Sequence, residues 1–207
     1  MTNKIILASN NPGKIREIQS LLSGLAIEIL PQALFTQKEA EETGLTFLEN
    51  ALIKARHAAK LSGLPAIADD SGLEVDALKG APGVYSARYA GPNATDDDNN
   101  AKLLKEMASV EAGKRTARFR CVMVFVRNAE DDNPLIAEAS WEGRILRETR
   151  GNNGFGYDPL FFVPDQGCAS AELPPNIKNR LSHRGQALQT LVARLTSLGV
   201  KNASVKS

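Results

Sequence analysis

The chain has 207 residues, of which 43% are hydrophobic and 24% charged, a composition that fits a folded domain and excludes an intrinsically disordered chain. Its formal net charge is +1, so binding to nucleic acid or to an acidic membrane surface is not indicated. The two cysteines, Cys121 and Cys168, lack the spacing of a zinc site and do not form a disulfide framework. No signal peptide or membrane-spanning run is visible, and we therefore expect a cytoplasmic protein.

The first predicted strand leads into a polar loop and then into a helix. Residues 4–8 are apolar enough for a buried strand, and apolar residues recur at helical spacing from Ile15 to Leu22. A strand, a glycine-containing loop and a helix can present backbone N–H groups to an anion, and a lysine adds a point charge. The alternative is a plain strand-to-helix turn, because the spacing of a Walker P-loop is missing. The loop residues are Ser9, Asn10, Asn11, Pro12, Gly13 and Lys14.

A helix with a clear beginning and end follows a second strand, residues 26–30, and an acidic loop in which Glu42 could supply a metal ligand. Thr46 and Glu49 have capping-box spacing and Gly63 is a typical stop, so a helix is predicted from there to about residue 62. A polar stripe on such a helix is usually solvated, although its lysine could reach a phosphate beside a binding crevice. The predicted apolar face is Leu48, Leu52, Ala55 and Ala59, and the polar stripe is Asn50, Lys54 and His57.

Two adjacent carboxylates stand at the expected end of another buried strand. The apolar residues 66–68 run directly into Asp69, Asp70, Ser71 and Gly72. Strand ends are where α/β proteins place their chemistry, and a carboxylate there suits Mg²⁺. Because neighbouring residues of an extended chain point to opposite sides, we expect only one of the two to enter a given site. The alternative is a solvated turn, since Asp, Ser and Gly are common turn residues.

A turn-rich segment precedes the next helix. Residues 80–89 combine Gly and Pro with a short aromatic and basic patch. Thr95 and Asp98 can then cap a helix whose first turn, residues 96–98, is acidic. Acidic residues there are favourable with the helix dipole, so the sequence needs no functional explanation for them.

The middle of the chain predicts strands joined by short turns. Residues 117–126 form a long run rich in Val and Phe, and residues 135–146 are predicted to form two strands that meet at Ser140. The turn signal at 131–134 separates these strands from the first. Consecutive strands with short turns indicate an antiparallel portion, so we predict an α/β fold with a mixed central sheet and flanking helices.

A glycine-rich loop follows at residues 151–159. Its three glycines allow positive φ or a close approach to a ligand, while an aromatic ring offers a stacking face and a carboxylate can accept from the N–H groups of a base. A flexible surface loop is the alternative, but a predicted buried strand at 160–163 anchors it. The candidate residues are Phe155, Gly156, Tyr157 and Asp158.

The last predicted helix begins with two cations. Ser182 is a good N-cap, and His183 and Arg184 then fall in the first turn, where positive charge opposes the helix dipole. Residues that oppose a local preference in this way are typical of functional sites, so we expect an anionic or acceptor-rich ligand in front of them. The alternative is that His183 has only a structural role. Lys178 lies shortly before, in a polar segment. The helix continues through Leu188, Leu191, Val192, Leu195 and Leu198, and the tail after Gly199 is expected to fray.

Six short motifs are spread over nearly the whole chain. They are Ser-Asn-Asn-Pro-Gly-Lys (9–14), Glu-Thr-Gly-x-Thr-Phe-x-Glu-Asn-Ala (42–51), Ala-Asp-Asp-Ser-Gly-Leu (68–73), Gly-Ala-Pro-Gly-Val-Tyr-Ser-Ala-Arg (80–88), Gly-Phe-Gly-Tyr-Asp-Pro (154–159) and Ser-His-Arg-Gly (182–185). Any one motif is weak. All six in this order resemble the inosine triphosphate pyrophosphatase family, over the chain from Lys4 to about Leu198.

The resemblance implies a hydrolase that uses Mg²⁺, forms a homodimer and removes ITP, dITP and XTP from the nucleotide pool by hydrolysing them to the monophosphate and pyrophosphate. It implies a single domain over residues 1–207, with two closely joined lobes around a nucleotide-binding cleft. Asp70 matches the catalytic, metal-binding carboxylate, and Glu42 resembles the second metal carboxylate. The implied triphosphate contacts are Ser9 to Lys14, Lys54 and Ser71, and the implied purine-reading set is Phe155 to Asp158, Lys178, His183 and Arg184.

The chemistry of the bases agrees with the resemblance. Inosine and xanthosine bases carry a 6-keto acceptor where adenine has an amino donor, so Lys178, His183 or Arg184 would favour them. Whether Asp69 or Asp70 is the general base stays open. Two other functions also stay open: a pyrophosphatase for another modified base, and a nucleotide-binding regulator without turnover. The carboxylates count against the regulator, because they do not help phosphate binding unless a metal is present.

Overall fold

The computed structural model describes residues 3–22, 27–36 and 38–197. Three sequence predictions, the start of the second strand at Ala26, the apolar position Leu198 and the tail after Gly199, lie outside these residues. The strands are β1 (Asn3–Leu7), β2 (Ile27–Pro31), β3 (Ala66–Val75), β4 (Thr116–Val126), β5 (Leu135–Ile145), β6 (Phe161–Val163) and β7 (Cys168–Ala169). The α-helices are α1 (Pro12–Leu22), α2 (Phe47–Ser62), α3 (Asp96–Glu106), α4 (Pro175–Leu181) and α5 (His183–Ser197).

The strands form one seven-stranded sheet in the order β2-β1-β3-β4-β5-β6-β7. Strand β1 pairs in parallel with β2 and β3, whereas β6 pairs antiparallel with β5 and β7. The sheet is therefore mixed, and the α/β prediction with flanking helices is confirmed.

The chain divides into two compact units, and strands β3, β4 and β5 have residues in both. The first unit comprises residues 1–70, 121–139 and 184–207. Its core joins Ile5 and Leu7 of β1 to the apolar sides of α1 and α5. Ile6 points to the opposite face of the sheet and is also fully buried, and α2 contacts β1. Helices therefore cover the sheet of this unit.

The second unit comprises residues 71–120 and 140–183 and has its own core. Three aromatic rings, those of Phe119, Trp141 and Phe161, lie with their centroids 4.5 to 6.5 Å apart. Leu103 of α3 and Met107, which follows the helix directly, are fully buried in the same cluster. Gly143 lies against this cluster, because a Cβ atom there would come within 2.5 Å of the Phe161 ring.

Helix α2 shows how local sequence sets the ends of an element. Thr46 and Glu49 form the predicted capping box, and Gly63 ends the helix in the left-handed conformation with φ of 68°. The predicted apolar face is rotated, however. Leu48 and Leu52 are only half-buried, whereas the buried positions are Phe47, Asn50, Ala51, Ala55, Ala58 and Ala59. The small alanines let the helix approach the sheet closely, so most of the buried side is formed by alanines and not by the leucines.

Three predicted elements differ from the structure. Strand β3 does not end at Asp69 but continues through Asp70, Ser71 and Gly72 to Val75, so the solvated-turn alternative is also wrong. The two strands predicted within 135–146 are one, β5, because the polar residue at their junction simply continues the extended chain. The segment around Lys178, which lacks helical apolar periodicity, forms α4. Within the described residues, no helix is long and apolar enough to cross a membrane.

Candidate active site

Asp69 lies at the centre of a buried ion-pair group in the first unit. Its Oδ2 atom lies 3.0 Å from Nζ of Lys14, in the first turn of α1, and 3.4 Å from Nε of Arg184, in the first turn of α5. Arg184 also lies 2.5 Å from the carboxylate of Glu17. Asp69 and Arg184 are almost completely buried, so both charges depend on these partners. The positive charge of Arg184 at the start of α5 opposes the helix dipole. It is balanced by two carboxylates of the same unit, those of Asp69 and Glu17.

Asp70 points to a different cation, Lys54 of α2. Its Oδ1 atom accepts a hydrogen bond from Lys54 Nζ at 2.8 Å, and the same ammonium donates to Oε1 of Glu42 at 2.9 Å. The polar stripe predicted on α2 is therefore not solvated at this position, because Lys54 bridges two carboxylates. Asn50, on the same stripe, is fully buried and accepts a hydrogen bond from Gly44 N at 2.9 Å, which holds the loop that carries Glu42.

The two adjacent carboxyl groups titrate in opposite directions. Burial acts to raise the pKa of Asp69, but Lys14 and Arg184 outweigh it and hold that pKa well below its ordinary value. For Asp70, burial outweighs the Lys54 ammonium, so its pKa is raised. Burial acts to lower the pKa of Lys54, but the charges of Asp70 and Asp69 outweigh it and hold the pKa above its ordinary value. Asp69 is thus a fixed anion, whereas Asp70 is the more basic carboxylate.

Asp70 and Glu42 are the residues of this cluster that could hold a hard cation. The Oδ2 atom of Asp70 is buried and has no hydrogen-bond partner among the described residues, although buried carboxylate oxygens normally have one. Within the described ranges, no group of three or more His, Cys, Asp or Glu side chains has the arrangement of a complete protein metal site. The two carboxylates, Asp70 and Glu42, are the kind of ligand that Mg²⁺ takes from a protein, since it typically binds one or two carboxylates and takes its other oxygens from water and phosphates.

The loop before α1 is organised by its own side chains. Asn11 Oδ1 accepts hydrogen bonds from Gly13 N at 2.9 Å and Lys14 N at 3.1 Å, and Ser9 Oγ accepts one from Asn11 N at 3.2 Å. These N–H groups are therefore capped within the loop, and Lys14 Nζ is the cation that this segment directs at Asp69. Asn10 is exposed, and Pro12 begins the helix.

The predicted base-binding residues, apart from Arg184, lie in the second unit, as does Ser71, which is half-buried in β3. Asp158 organises them. Its Oδ2 atom accepts hydrogen bonds from Lys178 Nζ at 2.5 Å and Phe155 N at 2.9 Å, and its Oδ1 atom accepts one from Ser170 Oγ at 2.8 Å. Asp158 and Lys178 are both buried, and Lys178 Nζ lies 4.8 Å from the centre of the Phe155 ring.

The glycine loop takes the positive φ angles that its sequence predicts. Gly154 has φ of 79°, and a Cβ atom there would overlap the Asp158 carboxylate. Gly156 has φ of 62° with open space around it, so its backbone conformation alone favours glycine. Tyr157 is buried and donates a hydrogen bond to Ser86 O at 2.8 Å. The loop is thus anchored and is not a flexible surface segment.

His183 is packed rather than exposed. It is 5% exposed, and its ring stacks on Phe119 with the centroids 4.8 Å apart and 14° between the planes. Helix α4 carries Lys178, and the start of α5 carries His183. Because α4 was not predicted, the sequence could not show how Lys178 is positioned.

Three further residues escape the sequence analysis. Asp96 and Asn100 of α3 hydrogen-bond to the glycine loop, and Glu17 of α1 pairs with Arg184. Asp96 was attributed to the helix dipole alone. The only available signal was the Asn99-Asn100 pair inside a helix, where asparagine is unfavourable and indicates a specific contact.

Comparison with known proteins identifies the class. A family model described as the Ham1 family matches residues 5–194, and the chain belongs to that family. A dITP/XTP pyrophosphatase of Methylococcus capsulatus is 65% identical over 198 residues, which cover 96% of this chain and 98% of that protein.

Solved structures give the same result. The structure of a HAM1 protein from Coxiella burnetii has a TM-score of 0.87 and 53% identity, covering 94% of this chain and 98% of that one. The Staphylococcus aureus Ham1 protein has a TM-score of 0.83 and 40% identity, with coverage of 94% and 99%. The family resemblance seen in the six sequence motifs is confirmed.

Proposed function

We propose that this protein is a nucleoside triphosphate pyrophosphatase that hydrolyses dITP, ITP and XTP to the monophosphate and pyrophosphate. The named activity of relatives such as the Methylococcus capsulatus dITP/XTP pyrophosphatase, 65% identical to this chain, supports the substrate class. The observation that carries the proposal for this chain is Asp70, a buried carboxylate beside Lys54 and Glu42, one oxygen of which lacks a hydrogen-bond partner in the part of the chain that the structure describes.

Asp70 is the best candidate for the group that orients and deprotonates the attacking water. Its Oδ2 atom is buried and, among the described residues, accepts no hydrogen bond, so this oxygen is available to a water molecule. Asp69 is unsuited to this task, because Lys14 and Arg184 hold its pKa low. We assign Asp69 the task of fixing these two cations.

Lys14 and Lys54 are the cations that would face the phosphates. Both ammonium groups are held by buried carboxylates, so they are aimed before any substrate binds. They would stabilise the negative charge that builds up on the departing pyrophosphate.

The donor set fits Mg²⁺, which when bound would neutralise charge on the phosphate oxygens. Asp70 and Glu42 would hold it. Among the contacts of the described residues, two carboxylates, Asp70 and Glu42, lie at the same ammonium group, that of Lys54, so these groups alone do not favour a triphosphate. The acidic excess therefore supports a requirement for a divalent cation, and it argues against a regulator that binds nucleotide without a metal.

The base would be bound by the second group of residues. Lys178 is a buried donor beside the Phe155 ring, a combination suited to a flat base with a keto oxygen. An adenine carries an amino donor where these bases carry the keto oxygen, so it would set a donor against the Lys178 ammonium, which disfavours it. We include His183 and Arg184 in this set by resemblance, although Arg184 is paired with Asp69 and Glu17.

A homodimer in the cytoplasm completes the proposal. The homodimer rests on the family resemblance alone, and the cytoplasmic location rests on the substrate class, since free nucleoside triphosphates are found inside cells. Sedimentation equilibrium of the purified protein tests the first, and fractionation of the source cells tests the second.

The experiment is a panel of dITP, XTP, dGTP and dATP assayed for pyrophosphate and for orthophosphate. We expect stoichiometric pyrophosphate from dITP and XTP, with kcat/KM higher than for dGTP and dATP. Orthophosphate as the first product contradicts pyrophosphatase chemistry. A preference for another modified base contradicts the substrate assignment, and tight binding of ITP without any product contradicts an enzyme.

A further inference from the structure

The start of helix α3 holds the glycine loop of the same unit. Asp96 Oδ2 accepts a hydrogen bond from Gly156 N at 2.6 Å, and Asn100 Nδ2 donates one to Gly156 O at 2.9 Å. The two side chains are four residues apart, so they lie on the same side of the helix. Together, as what we name the α3 clamp, Asp96 and Asn100 bind both backbone polar groups of one loop residue.

The helix that carries the α3 clamp is itself fixed. Thr95 and Asp98 form a capping box, which defines where the helix begins. Asn99 accepts a hydrogen bond from Ala90 N at 2.8 Å and donates one to Ala87 O at 3.2 Å. Asn100 is 5% exposed, so its amide depends on the loop carbonyl for a hydrogen bond. The clamp is therefore a rigid support.

Gly156 is the residue at which such a support has most effect. Glycine has the largest backbone freedom of any residue, and Gly156 takes φ of 62° with no atom near its missing side chain. Gly156 has no side chain to pack, so its conformation depends on backbone contacts, among them the two with the α3 clamp. Because Gly156 follows Phe155 directly and precedes Asp158 by two residues, its backbone angles influence where both side chains point.

We propose that Asp96 and Asn100 are positioning residues for the nucleotide base, an inference that rests on the proposed function. They hold Gly156 so that Phe155 and Asp158 keep the arrangement in which the base binds. The clamp acts on the loop and not on the reacting phosphorus. Its loss should therefore weaken substrate binding and base discrimination while leaving the chemical step nearly unchanged.

The test compares three variants of exposed carboxylates. Asp96→Ala removes the acceptor for Gly156 N–H, Asp96→Asn keeps an oxygen that can accept it, and Asp97→Ala is the matched control, with a similar place in the first helical turn. For Asp96→Ala we expect KM for dITP to rise about fivefold to tenfold, with kcat within about twofold of wild type, the effect of losing one hydrogen bond. The preference for dITP over dGTP should fall as well.

Hydrogen exchange of the peptide that spans residues 152–160 is the second readout. Asp96→Ala should increase exchange there, and Asp96→Asn should restore both slow exchange and low KM. Asp97→Ala should match wild type in both measurements. Thermal unfolding is followed for each variant, and an unchanged midpoint separates positioning from a general loss of stability.

The outcomes separate this inference from the proposed function. If wild type hydrolyses dITP and Asp96→Ala leaves KM and exchange unchanged, the clamp has no positioning role although the function stands. Faster exchange with an unchanged KM overturns the role of the clamp in base binding. A wild-type protein that releases no pyrophosphate from any nucleotide refutes the proposed function and, with it, the link to the base, while exchange still decides whether the clamp holds the loop.

Discussion

Asp69 and Asp70 are neighbours in β3, yet their carboxylates bind different cations: Asp69 Oδ2 lies 3.0 Å from Lys14 Nζ, and Asp70 Oδ1 lies 2.8 Å from Lys54 Nζ. The alternation of an extended chain sends the two side chains in different directions. The result is one carboxylate whose pKa is lowered and one whose pKa is raised, with no residue between them. We therefore assign Asp69 a structural role and Asp70 the chemical role, and we call this assignment the division between the two carboxylates.

This division predicts opposite effects on stability. Asp69→Asn leaves the buried charges of Lys14 and Arg184 without their central anion, so the free energy of unfolding should fall by about 3 kcal/mol. Asp70→Asn should leave it unchanged or raise it, because burial disfavours the charged form of Asp70. Urea denaturation followed by circular dichroism measures both variants. Equal destabilisation by the two substitutions contradicts the division.

The loop that carries Glu42 predicts a packing effect. A Cβ atom at Gly44 would come within 2.7 Å of Glu49 Cβ and of Asn50 Oδ1, the atom that holds this loop. Gly44→Ala should therefore cost about 1 to 3 kcal/mol of stability and raise the Mg²⁺ concentration needed for half-maximal activity. Gly113→Ala is the control, since no atom lies near its missing side chain. A Gly44→Ala protein as stable as the control shows that the loop can move aside.

Alanine substitutions at two glycines of the glycine loop, Gly154 and Gly156, should lower stability by different amounts. In Gly156→Ala the new side chain has space, but alanine must adopt the left-handed backbone conformation, which lowers the free energy of unfolding by about 1 to 2 kcal/mol. Gly154→Ala has the same problem and also overlaps the Asp158 carboxylate, so its stability should fall by a further amount of about 1 to 3 kcal/mol. Chemical denaturation of the two variants side by side measures the difference. Equal losses would mean that Asp158 gives way without cost.

Asp131 predicts a pH-dependent contribution to stability. It accepts hydrogen bonds from Arg127 N at 2.9 Å and Asn133 N at 3.0 Å and pairs with the Arg127 guanidinium, so it holds the turn between β4 and β5. The guanidinium hydrogen bond is the main cause that lowers the pKa of Asp131 below its ordinary value of 3.8. A lowered pKa stabilises the fold above the ordinary value, and that contribution is lost as pH falls below it through the folded pKa.

Asp131→Asn should therefore lower the free energy of unfolding by about 1 to 2 kcal/mol at pH 7. The gap to wild type should stay constant down to about pH 5 and close below about pH 4. Denaturation at a series of pH values measures this gap, with the exposed neighbour Asp132→Asn as control. A gap that widens as the pH falls has the wrong sign for this explanation.

Elements with strong local signals were predictable from sequence. Helix α2 has its capping box and C-terminal glycine, and β4 has its long apolar run, so both lie within one residue of the predicted bounds. These signals depend on neighbours in the chain. They need no knowledge of the rest of the fold.

Elements that depend on distant partners were not predictable. Asp69, Asp70, Ser71 and Gly72 are turn-forming residues, and they remain in a buried strand because Lys14, Lys54 and Arg184 from three helices neutralise the carboxylates. In the same way, Asp96 looks like an ordinary helix-dipole residue until the loop at Gly156 is in place. The charge of a residue can be read from sequence, but its partner cannot.

The proposed role of Asp70 is the chemistry of pyrophosphate release. The most direct measurement is pyrophosphate production from dITP in the presence of Mg²⁺ by wild type and by Asp70→Asn, each first shown to be folded. We predict that the substitution lowers kcat by about 10²- to 10⁴-fold, the usual contribution of a general base. An Asp70→Asn protein that keeps kcat within a few-fold of wild type contradicts the account.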